Sequence, residues 1–446
     1  MNGKAGPPGK AAQTPQAALA PPRVPGARRA RSFRLTCQEG EIPLVEELLR
    51  AQGFTFAPEP FSPWCRIVLE EPFALGASIA NTFGLIYIQD RSSMLPPLLL
   101  APEQGARVLD MCASPGGKTG FLAQLVGDGG FVLGNEPSRD RLETLRQNLF
   151  RHNFFQAATC GYADLSPVLA PDSFDHVLLD PPCSGWGTAE KNPNALKMWK
   201  GEKVEPLIAL QKRLLATAAA LVKPGGRLMY STCTTNPAEN EEQTAWALEN
   251  LPLSLSPLPD VSGFAFERPR LEGLDGVLRV DQERSEAQGF YLSCYVKKGE
   301  RRDEEERAYA LPGEALDPRK LADDGGLAWD NPPPGKIALF KERCFFLPQA
   351  AARVLPDGLR FQGLLLGALK KRAFKAHPRL RRLALPFDRA GGVNAQTPDE
   401  ILTLLSGQSA LLADDAPSGG APGLYYKGLP LGLLTKKGAR LLWSGK

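Results

Sequence analysis

The sequence is poor in histidine, with three in 446 residues, and its eight cysteines never form a CxxC pair. Together these absences exclude an obvious zinc site and argue against a disulfide scaffold. No apolar run reaches the roughly 18 residues that a membrane helix needs. The opening stretch, MNGKAGPPGKAAQTPQAALAPPRVPGARRARSFR, has no apolar core of signal-peptide length. We therefore expect a cytoplasmic protein with no metal, no membrane contact and reduced thiols, most of them small buried hydrophobes. Acidic residues are missing from residues 1–34, which carry seven Lys or Arg, and 370–382 (KKRAFKAHPRLRR) carries seven more. Such stretches suit a phosphate backbone, or serve as a solubilising tail and a solvated helix face.

What remains is ordinary globular composition, 43% hydrophobic and 23% charged, in a chain long enough for two or three domains. Residues 1–30 are rich in Pro, Ala and Gly and are expected to be a disordered basic tail. A small α+β segment follows over 31–100, where IPLVEELLRAQGF has helical spacing and stops at Gly53. The clearest block is 101–299. Its short apolar strands are RVLDM (107–111), FVLGNE (131–136), HVLLD (176–180) and GRLMYST (226–232), with a further strand ahead of Asp164. Helical stretches begin near Gly117, Arg139 and Glu205. This alternation predicts an α/β fold with a parallel sheet covered on both faces. GFYLSCYV (289–296) suits a late antiparallel strand. Residues 300–335 are polar and read as a linker. Block 336–446 consists of short strands and glycine turns.

LDMCASPGGKTG (109–120) joins the first strand of the sheet to a helix. Ligands of open α/β sheets bind beyond the carboxyl ends of strands, and glycines there let a backbone come close. A phosphate-binding P-loop would need glycine at 112, which is Cys112, and the GxGxxG of dinucleotide sites is also missing. The remaining candidate is S-adenosylmethionine. Its ribose would be held by Glu136 at the end of the second strand, and its adenine end by Asp164. Each acid could equally be a helix N-cap. Lys118 could meet the ligand's carboxylate or balance local charge.

DPPCSG (180–185) and STCTTN (231–236) each put a cysteine where a strand stops. Two prolines after Asp180 make a rigid turn that projects the next side chain predictably. In amino-group methyltransferases a related Asn/Asp-Pro-Pro-aromatic turn grips a flipped-out base. A thiol in place of that ring exchanges stacking for covalent attack. The plainer alternative is two small residues packed at strand ends. Neighbouring fourth and fifth strands would nevertheless bring both cysteines to the same sheet edge as the glycine loop. Trp186 and Phe290 could pack against a base or simply fill the core, and His152 and His176 read as structural.

Taken together, MCASPGGKT, VLLDPPCSG and YSTCTTNPAENE resemble the Sun-type family of RNA cytosine-5 methyltransferases, as do YIQDRSSM (87–94) and GFYLSCYVKK (289–298). GLRFQGLLLGALKKRAFKAHP (358–378) and YKGLPLGLLTKKG (426–438) resemble the carboxyl-terminal part of the F branch acting on bacterial 16S ribosomal RNA. The resemblance implies a class I, Rossmann-like methyltransferase domain with an amino-terminal RNA-binding segment and a PUA-like RNA-binding domain over 336–446. It assigns the attacking thiolate to Cys233 and product release to Cys183, and sets Asp180 against the cytosine ring and the cofactor's methyl end. It implies that Cys112, Ala113, Ser114, Pro115, Gly116, Gly117 and Lys118, with Glu136, Asp164 and Asp180, hold S-adenosyl-L-methionine. RNA is the implied partner, either small-subunit ribosomal RNA or an assembling 30S subunit, met by a monomer. Three rival readings compete with this one. A DNA cytosine-5 enzyme would use the Pro-Cys cysteine as its nucleophile, a ribosome assembly factor would bind RNA without catalysis, and a transfer RNA enzyme would share the chemistry. The family's Arg-Val-Asn-type segment is replaced here by SFRLTC (32–37), and the tail ends at WSGK.

Overall fold

The computed structural model describes residues 31–445 apart from 189–200, 301–307, 320, 322–326, 329–332, 371–372 and 412–420. The tail at 1–30 lies outside the described residues. The first segment forms strands β1 (Ser32–Leu35), β2 (Thr55–Pro58), β3 (Cys65–Glu70) and β4 (Ile86–Ile88) and helix α1 (Ile42–Ala51). The strands pair in the order β2-β3-β1-β4, all antiparallel. Helix α1 buries Val45, Leu48 and Leu49, the expected one-sided stripe. It ends where Gly53 takes φ +87°, the left-handed stop that glycine accepts freely.

Helix α2 (Arg91–Leu100) leads into the central sheet. Its Leu95 and Leu100 join the same hydrophobic cluster as Val108, Val132, Leu178 and Met229, while Met94 packs with Cys65 and Arg91 pairs with Glu59 of the first segment, so the helix bridges the two. The parallel strands are β5 (Arg107–Asp110), β6 (Phe131–Asn135), β7 (Ala157–Cys160), β8 (Phe174–Leu179) and β9 (Val222–Thr232). Between them lie helices α3 (Gly117–Val126), α4 (Arg139–Arg151) and α5 (Gly201–Leu221), the last starting four residues before the expected Glu205. Side chains alternate cleanly between two core layers. Leu109, Phe131, Leu133, Val177, Leu179, Leu228 and Tyr230 face one side. Val108, Val132, Leu178 and Met229 face the other. A strand buried on both faces must read as a continuous apolar run, as these do. Trimming one such leucine to alanine costs about 2–5 kcal/mol.

The strand order is β7-β6-β5-β8-β9, so the chain reverses direction across the sheet between β5 and β8. That reversal opens a crevice at the carboxyl ends of these two strands, beside β9. Helix α6 (Glu241–Asn250) follows β9 and precedes β10 (Leu253–Leu255). Strands β11 (Phe266–Glu267), β12 (Leu278–Val280) and β13 (Tyr291–Lys297) complete that side, with β13 antiparallel to β9 as expected.

The stretch read as a linker contributes structure. Strand β14 (Glu314–Ala315) pairs with β15 (Gly335–Phe340), and Leu321 and Leu327 are buried. Apolar residues spaced among charges kept this pattern hidden. Strands β16 (Arg343–Pro348), β17 (Phe361–Gln362), β18 (Leu364–Lys370) and β19 (Ala373–Ala376) follow. Then come β20 (Gly392–Ala395), helix α7 (Pro398–Leu405), β21 (Ala410–Leu411), β22 (Gly423–Tyr426), β23 (Leu429–Leu433), β24 (Thr435–Lys437) and β25 (Arg440–Leu442). They form sheets β14-β15-β16-β18-β19, β20-β22-β23 and β21-β25-β24, while β17 pairs antiparallel with β7 at the edge of the central sheet. The first segment and this last block share a core: Phe33, Leu35 and Leu85 pack in one cluster with Ile401, Leu424 and Tyr426. Sequence pattern alone keeps them apart because their partners lie hundreds of residues away.

Candidate active site

The glycine loop is shaped from three sides. Gly116 sits at φ +108°, a conformation side chains resist, and a Cβ on Gly117 would lie 2.9 Å from Tyr87 Cε1. Tyr87 and Gln89 of the YIQDRSSM block therefore prop the loop from behind. Arg34 Nη2 donates to the Gly117 carbonyl at 3.1 Å, and its guanidinium lies 4.5 Å from the Phe121 ring. Asn148 Nδ2 donates to the Pro115 carbonyl (2.8 Å), and the Ser114 hydroxyl donates to the Arg141 carbonyl (2.9 Å). Inside, Thr119 Oγ1 donates to Asp110 Oδ2 at 2.7 Å, and the Ala113 N–H donates to the Asn135 carbonyl at 2.9 Å. Burial pushes the Asp110 carboxyl up to about 6 and the Cys112 thiol well above its ordinary value.

At the end of β6, Glu136 is buried. Its carboxylate accepts from the Ser138 N–H (2.9 Å) and faces Arg141 Nη1 at 3.3 Å. Arg141 also donates to the Ser114 carbonyl, linking this acid to the glycine loop. Asp164 is exposed and accepts from the Ser166 N–H at 2.9 Å. Sequence reasoning missed Asn135. It donates to the Met111 and Tyr162 carbonyls and accepts from the Tyr162 N–H, tying the ends of β5, β6 and β7 together. The only signal was a polar residue inside the apolar run FVLGNE.

Beyond β8 and β9 the two cysteines meet. Cys183 Sγ and Cys233 Sγ are 3.4 Å apart, and both residues are half-buried. The hydrogen bond to Cys233, together with burial and the negative charges of Glu239 and Asp180, pushes the Cys183 thiol well above its ordinary value. Asp180 accepts from Lys118 Nζ (2.7 Å) and from the Ser231 hydroxyl (2.8 Å). Burial acts to lower Lys118, but Asp180, Cys233 and Asp110 together hold its ammonium above the ordinary value. Lys118 thus faces the Asp180 carboxylate. Around the thiols, Glu239 binds the Ser184 N–H and hydroxyl, Gln211 and Asn236. Arg279 pairs with buried Glu241 at 2.8 Å and donates to the Thr235 carbonyl at 3.1 Å.

The remaining sequence candidates lie elsewhere. Trp186 and Phe290 are buried at 6% and 3% exposure, which favours packing over base contact, although the Phe290 ring lies 5.4 Å from Lys118 Nζ. His152 Nδ1 is 3.1 Å from both Thr36 Oγ1 and the Gly84 carbonyl, and His176 Nε2 is 2.6 Å from Glu103. The basic run at 370–382 does not form one open face. Phe374 is in the core, Arg379 donates to the Thr82 carbonyl, Arg381 is 1% exposed against Glu41, and Arg382 reaches Asp128. Lys370 and Lys375 remain exposed, and Lys371 and Arg372 lie outside the described residues. Arg34 of SFRLTC is likewise buried, so it makes no surface contact.

A family model described as 16S rRNA methyltransferase RsmB/F matches residues 97–295. The chain is 30% identical over 413 residues to ribosomal RNA small subunit methyltransferase F of Shewanella loihica, covering 88% of this chain and 84% of that one. The chain belongs to the RsmB/F family. The protein of the same name from Escherichia coli O139:H28 is 30% identical over 444 residues, covering 92% and 88%. Among solved structures, a methyltransferase homolog protein from Pyrococcus horikoshii is similar with a TM-score of 0.53 at 32% identity, over 61% of this chain and 87% of that one. NSun6 from the same organism, whose crystal structure holds SFG, has a TM-score of 0.53 at 18% identity over 61% and 91%, a likeness of fold. The family match contains every cysteine-edge residue named above. Arg34, Tyr87 and Gln89, which brace the glycine loop, fall outside it.

Proposed function

We propose that this RsmB/F member transfers a methyl group from S-adenosylmethionine to carbon-5 of a cytosine in RNA, with 16S ribosomal RNA as substrate, in the cytoplasm. The observation that carries the reading is the 3.4 Å approach of the Cys183 and Cys233 sulfurs beside the Lys118–Asp180 pair. A binding module has no use for two thiols held there.

The residues at the strand ends suit the cofactor. The Gly116–Gly117 turn packs too closely against Leu145, Tyr87 and Gln89 to carry side chains and so offers a ligand bare backbone, and buried Glu136 stands at the next strand end to take ribose hydroxyls. Asp164 follows β7, the strand beyond that, and would serve the adenine end. Cys112 to Lys118 would line the loop side, and Asp180 the methyl end. Bound there, S-adenosylmethionine supplies an electrophilic methyl group.

Carbon-5 of cytosine is a poor nucleophile by itself. The target base leaves its stack and enters the crevice. The Cys233 thiolate adds to carbon-6, and carbon-5 becomes enamine-like and able to take the methyl. Asp180, oriented by Lys118 and Ser231, stabilises the protonated ring nitrogen. Cys183 acts as, or beside, the base that removes the carbon-5 proton. Loss of that proton restores the C5–C6 double bond and expels Cys233 as thiolate. The carboxyl-terminal block, PUA-like in this reading, and the first segment bind RNA around a monomeric enzyme acting on ribosomal RNA or an assembling 30S subunit.

The test is to incubate wild type, Cys183→Ala and Cys233→Ala with the methyl donor and small-subunit ribosomal RNA, then look for a complex that survives denaturation. A complex with Cys183→Ala alone is expected. One with Cys233→Ala alone would exchange the roles of the cysteines. No complex and no methylated cytosine from any variant would overturn the reading.

A further inference from the structure

The Glu239 carboxylate is fully buried, and no lysine or arginine pairs with it among the described residues. Its four hydrogen bonds come from neutral donors. Oε1 accepts from the Ser184 hydroxyl (2.5 Å) and Asn236 Nδ2 (3.1 Å). Oε2 accepts from the Ser184 N–H (2.8 Å) and Gln211 Nε2 (3.1 Å). The Gln211 amide also donates to the Pro182 carbonyl at 3.0 Å. Ser184 and Pro182 flank Cys183, while Glu239 and Asn236 belong to the segment that follows Cys233. The Ser184 hydroxyl lies 2.7 Å from Thr234 Oγ1, the neighbour of Cys233. One carboxylate therefore fastens the first cysteine loop to the second. A buried charge with no ionic partner is costly, and so many donors aimed at it must be aligned by the fold.

We propose that Glu239 is a positioning residue that sets the spacing of the Cys183 and Cys233 thiols by clamping Ser184 to the segment after Cys233. In Glu239→Gln one acceptor oxygen becomes an amide NH₂, so the two donors on that side lose their acceptor and the charge vanishes.

The effect on catalysis rests on the covalent cysteine reading, but the geometry does not, and the experiment separates them. Phenylarsine oxide binds tightly only where two thiols can bond one arsenic, so its affinity for the full-length protein reports their spacing without any turnover. Cys183→Ala and Cys233→Ala define the signal from this pair. Glu239→Gln is expected to weaken arsenical binding by about tenfold or more, in line with the loss of charge-assisted hydrogen bonds, and Ser184→Ala by less. Ser184→Ala, which deletes one hydroxyl, covers the case in which Glu239→Gln does not fold. With ribosomal RNA, Glu239→Gln should slow adduct release more than adduct formation and leave the KM for S-adenosylmethionine unchanged. In a Cys183→Ala background it should slow release no further.

If Glu239→Gln and Ser184→Ala fold with unchanged arsenical affinity, the inference fails even where the RNA adduct forms. If arsenical binding depends on Glu239 and no variant forms an RNA adduct or methylates cytosine, the positioning role stands and the cytosine-5 reading fails. A uniform loss of KM, kcat and arsenical binding that tracks thermal stability would reduce Glu239 to a structural residue.

Discussion

Two sets of buried polar groups stand in contrast. At the cysteine edge, buried Glu239 and Asp110 and half-buried Asp180 bring negative charge close to thiols, with Lys118 facing Asp180 and Arg279 paired to Glu241. At the seam joining the first segment, α4 and the carboxyl-terminal block, the buried groups are Arg34, Arg381 and His152. Arg381 donates to the Thr36 carbonyl (3.1 Å) and to Glu41 (3.2 Å), while Arg34 meets a carbonyl and aromatic rings. Both sets are highly connected, yet their roles differ. The acids of the first surround the two neighbouring thiols and, in the proposed reaction, act on them. The cations of the second satisfy carbonyls at the ends of separate segments and hold those segments in one body. Buried charge alone is therefore a poor pointer to a reaction; its sign and the chemistry of its neighbours decide.

The sharpest break should come from Cys233→Ala, expected to lower methyl transfer by about 10⁴-fold or more, as loss of a covalent nucleophile does. Thermal unfolding should move little, because the change removes a single sulfur from a half-buried side chain. Next come the buried pairs. Arg279→Met leaves Glu241 buried without its cation, and Arg381→Met removes a buried guanidinium from Glu41 and Thr36; denaturant unfolding should show losses of roughly 3–5 kcal/mol for Arg279→Met and less for Arg381→Met, whose partner is closer to solvent. The contrast predicts that, well below its unfolding temperature, Arg381→Met keeps kcat whereas Arg279→Met, by freeing the Thr235 carbonyl next to the Cys233 loop, does not. Equal effects on kcat would erase the distinction.

Smaller in size, S-adenosylmethionine at a hundredfold excess over its Kd should stabilise the protein by about 2.7 kcal/mol, read as a rise in Tm. Gly117→Val should abolish that rise, because its side chain would run into Tyr87. Seam variants should keep it. The smallest effect concerns pH. Burial, reinforced by Arg34, pushes His152 down to about 3 from 6.5. The unfolded chain then takes up a proton between pH 6.5 and 3 that the folded protein refuses, so stability is lost as pH falls through that window. His152→Asn, which retains a donor near Nδ1, should flatten this acid limb. An unchanged acid limb would mean that other groups set it.

The cysteine edge was readable because its chemistry is local. Asp180, Cys183, Cys233 and the glycine loop each end a strand whose apolar run announces it, and a doubly wound sheet gathers strand ends at one edge. Glu239 stood in view in NPAENE, but nothing in the spacing indicated that it reaches Ser184, 55 residues earlier. The seam was unreadable for the same reason on a larger scale. Arg381 and Thr36 are 345 residues apart, and an arginine in a basic run looks like surface until its partners are known. The structure within 300–335, read as a connector, was hidden because Leu321 and Leu327 are single apolar residues among charges.

Strand β17 has a consequence of its own. By pairing Phe361 with Cys160 and Gln362 with Thr159, the carboxyl-terminal block closes the rim of the catalytic sheet. A chain truncated after residue 299 would present β7 with a row of unsatisfied amides and carbonyls, a template for self-association. The appended block thus covers part of an edge that would otherwise be open to pairing with another chain.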